Sequence, residues 1–175
     1  MILLSRRLGH GNKEILLQIL SKGHEVNPHS WSHLIWSKNF DKMDYKRQIF
    51  LMKNSFVKCT GQSPKGFAPP TWKIDDKVLE ELKKQGFEYV SIDKGKREIR
   101  NGIRIIPLSF PNSIEELLNE GKTKEEIFKI YREEMNKPEV NLYFHADFEG
   151  MRGIRLFEEV LKMINPKRIK LVNEI

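Results

Sequence analysis

The chain has 175 residues, with 31 Lys and Arg against 24 Asp and Glu, a formal net charge of +7. Apolar residues make up 39% and charged residues 31%, a balance that builds a core and excludes a disordered chain. No apolar run reaches the roughly 18 residues of a membrane span, and the single cysteine, Cys59, excludes an internal disulfide framework and a multi-cysteine zinc site.

Taken in chain order, the sequence alternates strand and helix patterns. Ile2-Leu-Leu4 is a short apolar run. Asn12 can cap a helix through Leu20, whose Ile15, Leu16, Ile19 and Leu20 share one face, with Gly23 ending it. His24-Glu-Val-Asn27 reads as a strand on which His24 is a buried histidine, leading into a loop. Residues 44–58 form an amphipathic helix closed by Gly61. Gly66-Phe-Ala leads through Pro69-Pro70 into a loop, and Asp75 caps the helix Lys77–Gln85. Phe87–Ile92 and Ile103–Ile106 are strands, and Ser113–Leu118 and Lys124–Met135 are helices. Val140–His145 reads as a strand carrying His145 at its end, residues 153–164 as a helix, and Arg168–Val172 as a closing strand. Strands separated by helices imply a mostly parallel α/β layout in one domain, with chemistry at the C-terminal ends of the strands.

The excess of positive charge does not mark a nucleic-acid binder. Lysines are interleaved with glutamates, as in Lys77-Val-Leu-Glu-Glu-Leu-Lys-Lys84, a pattern of solvated helix faces without a basic stripe set among aromatics. The opening Met1-Ile-Leu-Leu-Ser-Arg-Arg7 places its basic pair after a short apolar run, unlike a secretory signal, so a cytoplasmic location is expected, with attraction to anionic lipid as a secondary expectation.

Five histidines carry the chemical interest: His10, His24, His29, His33 and His145. In His29-Ser-Trp-Ser-His33 two imidazoles stand four residues apart. On a helical turn that spacing puts both rings on one side, where they can share a divalent ion such as zinc, nickel or cobalt. Two surface histidines at this spacing are an equally good account of the pair taken alone. His10 reads as a loop residue and Cys59 as structural.

Context adds a family. Gly23-His-Glu-Val-Asn-Pro-His-Ser-Trp-Ser-His33 resembles the second motif of the NodB-type polysaccharide deacetylases, carbohydrate esterase family 4. Gly66-Phe-Ala-Pro-Pro-Thr-Trp72 resembles that family's proline-bearing loop, and Leu142-Tyr-Phe-His145 its late Leu-x-His motif. His145-Ala-Asp-Phe-Glu-Gly150 and Ile106-Pro-Leu-Ser-Phe-Pro111, ahead of Glu115-Glu-Leu-Leu118, are similar to the 4-deoxy-4-formamido-L-arabinose-phosphoundecaprenol deformylase branch. The match is collinear over roughly residues 1–165.

The resemblance implies a distorted (β/α)7-type barrel over residues 1–175, lacking its first strand, and metal-assisted removal of an N-acetyl or N-formyl group from an amino sugar. It implies a divalent metal (zinc, with cobalt or nickel as alternatives) on His29 and His33, and His145 as the acid that protonates the departing amine. Asn27 and Ser30 would support the metal loop. Trp31, Trp36 and Trp72 would wall the sugar site or simply pack. Pro70 belongs to the substrate loop, and Asp93 is a substrate contact or a turn residue. Asp147 and Glu149 are further carboxylates near His145 that could meet a metal, although Ala68 stands where the family carries an arginine.

The family's first motif, an Asp-Asp or Asp-Val-Asp supplying the third ligand and the base, would precede Met1. Hydrolysis by this chain alone is therefore expected to be weak or absent. The alternative implied is a truncated member that acts at most as a carbohydrate-binding module. The partners implied are a glycan, carried on polyprenyl phosphate in the deformylase branch, and a second copy of the chain on the sheet edge left by the missing strand.

Overall fold

The computed structural model describes residues 2–4, 13–109 and 112–170. The chain divides into two compact units, residues 1–107 with 170–175, and residues 108–169.

In the first unit β1 (Ile2–Leu4) and β2 (Val26–Pro28) pair in parallel, with Leu3 opposite Asn27. A four-stranded sheet follows in the order β3-β4-β6-β5, from β3 (Gly66–Phe67), β4 (Tyr89–Ile92), β5 (Glu98–Arg100) and β6 (Ile103–Pro107). Strands β3, β4 and β6 are parallel, and β5 runs antiparallel on the edge. The helices α1 (Lys13–Ser21), α2 (Tyr45–Thr60) and α3 (Asp76–Lys84) connect them. Sequence signals set their ends: Asp44 caps α2 through Arg47 N–H, Asp75 caps α3 through Lys77 N–H, and Gly61 closes α2 at a φ of 74°. Ile49, Met52 and Phe56 on α2 and Val78, Leu79 and Leu82 on α3 repeat at helical spacing, and all are buried. Ile49, Met52 and the α3 residues share a core with Trp36, Phe67, Phe87, Val90, Ile103 and Ile105.

Between β2 and β3 the joining element is a side chain. Asn27 is buried, and its Oδ1 accepts the N–H groups of Lys65 and Gly66 at 3.1 and 2.7 Å. Its amide nitrogen donates to Glu25 Oε1 at 3.0 Å and to Tyr89 Oη at 2.7 Å, and the Tyr89 hydroxyl donates to Glu25. The Tyr89 ring reaches these partners by lying across Gly66, its neighbour in register on β3.

The second unit packs α4 (Ile114–Asn119), α5 (Lys124–Met135) and α6 (Ile154–Lys162) around Ile114, Leu117, Ile127, Tyr131 and Val160. Ser113 with Glu116 and Thr123 with Glu126 form reciprocal capping boxes, which explains why α4 and α5 begin where the sequence places them.

Four local expectations change. His24 is exposed and precedes β2, which starts at Val26. The charged stretch 98–100 forms an edge strand that its composition hides. Residues 140–145 form no strand. There the Asn141 carbonyl accepts Ser109 N–H and Ser109 Oγ accepts Asn141 N–H, so a side chain replaces the ladder after one backbone bond. Arg168 ends a 3₁₀ turn, Pro166–Arg168, Ile169 and Lys170 follow it without strand structure, and the last two residues of the expected closing strand, like His10, lie outside the described residues.

Candidate active site

The C-terminal ends of β2, β3 and β4 bring one group of the predicted residues together. His29 follows β2 directly, and its Nδ1 lies 2.7 Å from the Ala68 carbonyl oxygen just past β3. A carbonyl only accepts, so Nδ1 carries the donated proton, and in the neutral ring the lone pair falls on Nε2. Metal-binding histidines are characteristically held in this way.

His33 reaches the same place by a route the spacing did not foretell. Residues 29–35 form a loop with no helical turn, in which Ser30 and His33 adopt positive φ of 101° and 54°. Ser30 is buried, and its Oγ accepts His33 N–H at 2.9 Å, which closes the loop. The two imidazole centroids stand 5.1 Å apart with their planes at 62°. Two imidazoles on one tetrahedral ion, each at about 2.0–2.1 Å, have centroids about 5 Å apart. Both the separation and the tautomer of His29 therefore fit two ligands of a divalent ion. Among the described residues no group of three or more His, Cys, Asp or Glu is gathered to hold one.

The proline loop frames the pair. Pro70 is buried at the start of the 3₁₀ turn Pro70–Trp72, where Thr71 and Trp72 take positive φ of 65° and 59°. This turn sets the half-buried Trp72 ring 6.2 Å from His29. Asp93, just past β4, donates its N–H to the Trp72 carbonyl at 3.0 Å, and its carboxylate accepts Lys94 N–H. Asp93 thus adjoins the loop through its backbone, and its side chain makes the turn. Trp31 packs half-buried against the core, and Trp36 is wholly inside it, so Trp36 walls no site. Asn27 lies on β2, two residues before His29, and joins β2 to β3.

His145 belongs to the second unit and has surroundings of its own. Its Nδ1 is 3.3 Å from Glu115 Oε2, on the first turn of α4. Glu149 is 1% exposed, and its Oε2 accepts His145 N–H at 2.7 Å while its Oε1 accepts Glu115 N–H at 3.3 Å. Both Glu149 oxygens accept backbone N–H groups, so it braces the two stretches, whereas Asp147 is exposed. The Tyr143 ring packs edge-on to His145 at 5.4 Å, and its hydroxyl donates to Glu116. Burial, followed by that bond to Glu116, holds the Tyr143 phenol well above the usual tyrosine range. Glu115 and the bracing role of Glu149 escape sequence reasoning. The available signals were the capping box at Ser113, which puts Glu115 in a first turn, and the His145-x-x-x-Glu149 spacing.

Residues 3–90 match the polysaccharide deacetylase family model. A protein of Wigglesworthia glossinidia brevipalpis that carries the name 4-deoxy-4-formamido-L-arabinose-phosphoundecaprenol deformylase ArnD is 29% identical over 159 residues, covering 82% of this chain and 54% of its own length. The chain spans about half the length of the curated relatives it matches. A crystal structure from Mycobacterium smegmatis, named as a polysaccharide deacetylase, superposes with a TM-score of 0.70 at 18% identity, covering 88% of this chain and 61% of that one. A family 4 carbohydrate esterase from Streptomyces lividans, in complex with acetate, superposes with a TM-score of 0.62 at 10% identity, over 97% of this chain and 78% of that one. The fold is therefore the α/β fold of the NodB kind that the motifs implied.

Proposed function

The chain belongs to the polysaccharide deacetylase family, and from that premise we propose that it serves a metal-dependent hydrolase removing an N-acetyl or N-formyl group from an amino sugar. The observation that carries the proposal is the imidazole pair, 5.1 Å between centroids with the His29 proton directed to a backbone carbonyl. His29 Nε2 and His33 would hold a zinc, cobalt or nickel ion. Such an ion supplies Lewis acidity toward the amide carbonyl and a water of lowered pKa.

The chain's own residues do the rest. The Ala68 carbonyl fixes the His29 ring and Ser30 fixes the His33 backbone, so both ligands are oriented before anything binds. Trp72 offers an apolar face beside His29 for a sugar ring, with Pro70 shaping its turn and Trp31 and Asp93 at the margins. His145 gives the departing amine its proton from Nε2, with Glu115 facing the opposite nitrogen. The names of the curated relatives support an N-formyl sugar on a polyprenyl phosphate as the first substrate to try, which would put the chain to work at a membrane face. No helix among the described residues is long and apolar enough to cross a membrane.

Zinc titration followed by calorimetry tests the proposal. Wild-type chain should bind with a Kd of about micromolar or tighter, and His29→Ala should weaken binding at least about tenfold. Affinity weaker than this and indifferent to His29→Ala defeats it. Assay of the zinc-loaded chain on N-formyl and N-acetyl amino sugars then separates turnover from the alternative, a module that binds the sugar and releases it unchanged.

A further inference from the structure

We propose that Glu149 is a positioning residue whose buried carboxylate sets the geometry of the His145–Glu115 pair, an inference that rests on the deacylase reading above. The contact between the pair is marginal by its own means. His145 Nδ1 is enclosed and makes no hydrogen bond among the described residues, although Glu115 Oε2 stands 3.3 Å away. At that distance the angle decides whether a bond forms, and the angle depends on where two separate stretches of backbone hold their side chains.

Glu149 grips both stretches. Its Oε2 takes the N–H of His145 and its Oε1 the N–H of Glu115, the two residues that face each other. The Glu115 N–H is one of the first-turn donors of α4 with no acceptor inside the helix, while Ser113 Oγ already serves Glu116. The grip is closed from the other side as well, because Glu149 N–H donates to the His145 carbonyl at 2.9 Å. A carboxylate suits the task because it offers two acceptors and no donor. A glutamine of the same shape must turn its NH2 toward one of two buried N–H groups, a donor against a donor.

The experiment uses nitrogen-15 NMR of the His145 imidazole in the full metal-free chain, together with steady-state kinetics of the zinc-loaded chain on a soluble N-acetylglucosamine oligomer. Glu149→Gln should move the His145 Nδ1 resonance to the position seen in Glu115→Gln, and should lower kcat about ten- to hundredfold with KM unchanged. The double variant should be no slower than Glu115→Gln alone, because both changes break one device. A folded Glu149→Gln chain with the wild-type Nδ1 resonance overturns the proposal. If that variant does not fold, Glu149→Asp, which keeps the charge and withdraws it by one methylene, must shift the same resonance or the proposal fails. Absence of turnover in the wild type would remove the deacylase reading and leave the NMR result to decide the role of Glu149.

Discussion

At the scale of single residues, Asn27 shows how a side chain can stand in for a strand ladder. Its carbonyl meets two backbone N–H groups at the head of β3 and its amide meets Glu25 and Tyr89, with the bonds to Gly66 and Tyr89 buried. Truncation in Asn27→Ala leaves the Gly66 N–H without an acceptor, and each such orphan costs about 1–3 kcal/mol. The variant should therefore lose about 3 kcal/mol of stability in urea unfolding, and a loss under 1 kcal/mol would show that water replaces the amide. Ser30 should behave oppositely. Among the described residues its hydroxyl holds one group, the N–H of the exposed His33, so Ser30→Ala should barely change the melting temperature while weakening zinc affinity about tenfold, measured by calorimetry. The four-residue spacing of His29 and His33 revealed the pair, although its geometry comes from positive-φ loop residues that spacing cannot disclose. Glu115 was hidden for a different reason. It precedes His145 by 30 residues, and only the packed chain brings the carboxylate to the ring.

At the scale of elements, helices were legible because their ends carry local chemistry. Asp44, Asp75, Ser113 and Thr123 cap within their own sequence neighbourhood, so no tertiary contact is needed to see them. Strands depend on partners elsewhere, which is why β5 was missed and why the apolar run before His145 was over-read. The pairing of β3 with β4 supplies a sharp test. A Cβ placed on Gly66 would lie 2.1 Å from Tyr89 Cζ, and the ring cannot retreat without leaving Glu25 and Asn27. Gly66→Ala should cost about 3 kcal/mol or more through overpacking, read from chemical denaturation. Replacing Tyr89 by Ala in that background should cost less than it does in the wild type, because the clash goes with the ring. Additive losses would show that the strand shifts to accept the methyl group.

At the scale of the molecule, both units store neutral phenols where water cannot reach them. Tyr89 in the first unit and Tyr131 in the second are fully buried, and Tyr143 is partly so. Burial is the largest cause holding each phenol above its ordinary range, reinforced by Glu25 at Tyr89, by the charges of Glu149 and Glu116 at Tyr131, and by the bond to Glu116 at Tyr143. A raised folded-state pKa means the folded chain keeps protons that the unfolded chain gives up. The stabilisation is thus complete below the unfolded tyrosine value of about 10 and fades as pH rises beyond it. Each fully buried phenol should cost about 1.4 kcal/mol of stability per pH unit in that range. Melting temperature should hold steady from neutral pH toward 10 and then fall steeply, with tyrosinate absorbance appearing together with unfolding. Tyr131→Phe should flatten the fall, since it removes one of the two fully buried hydroxyls that must ionise there. Ionisation of these phenols while the chain remains folded would show that water reaches them and would remove the electrostatic basis of the alkaline limit.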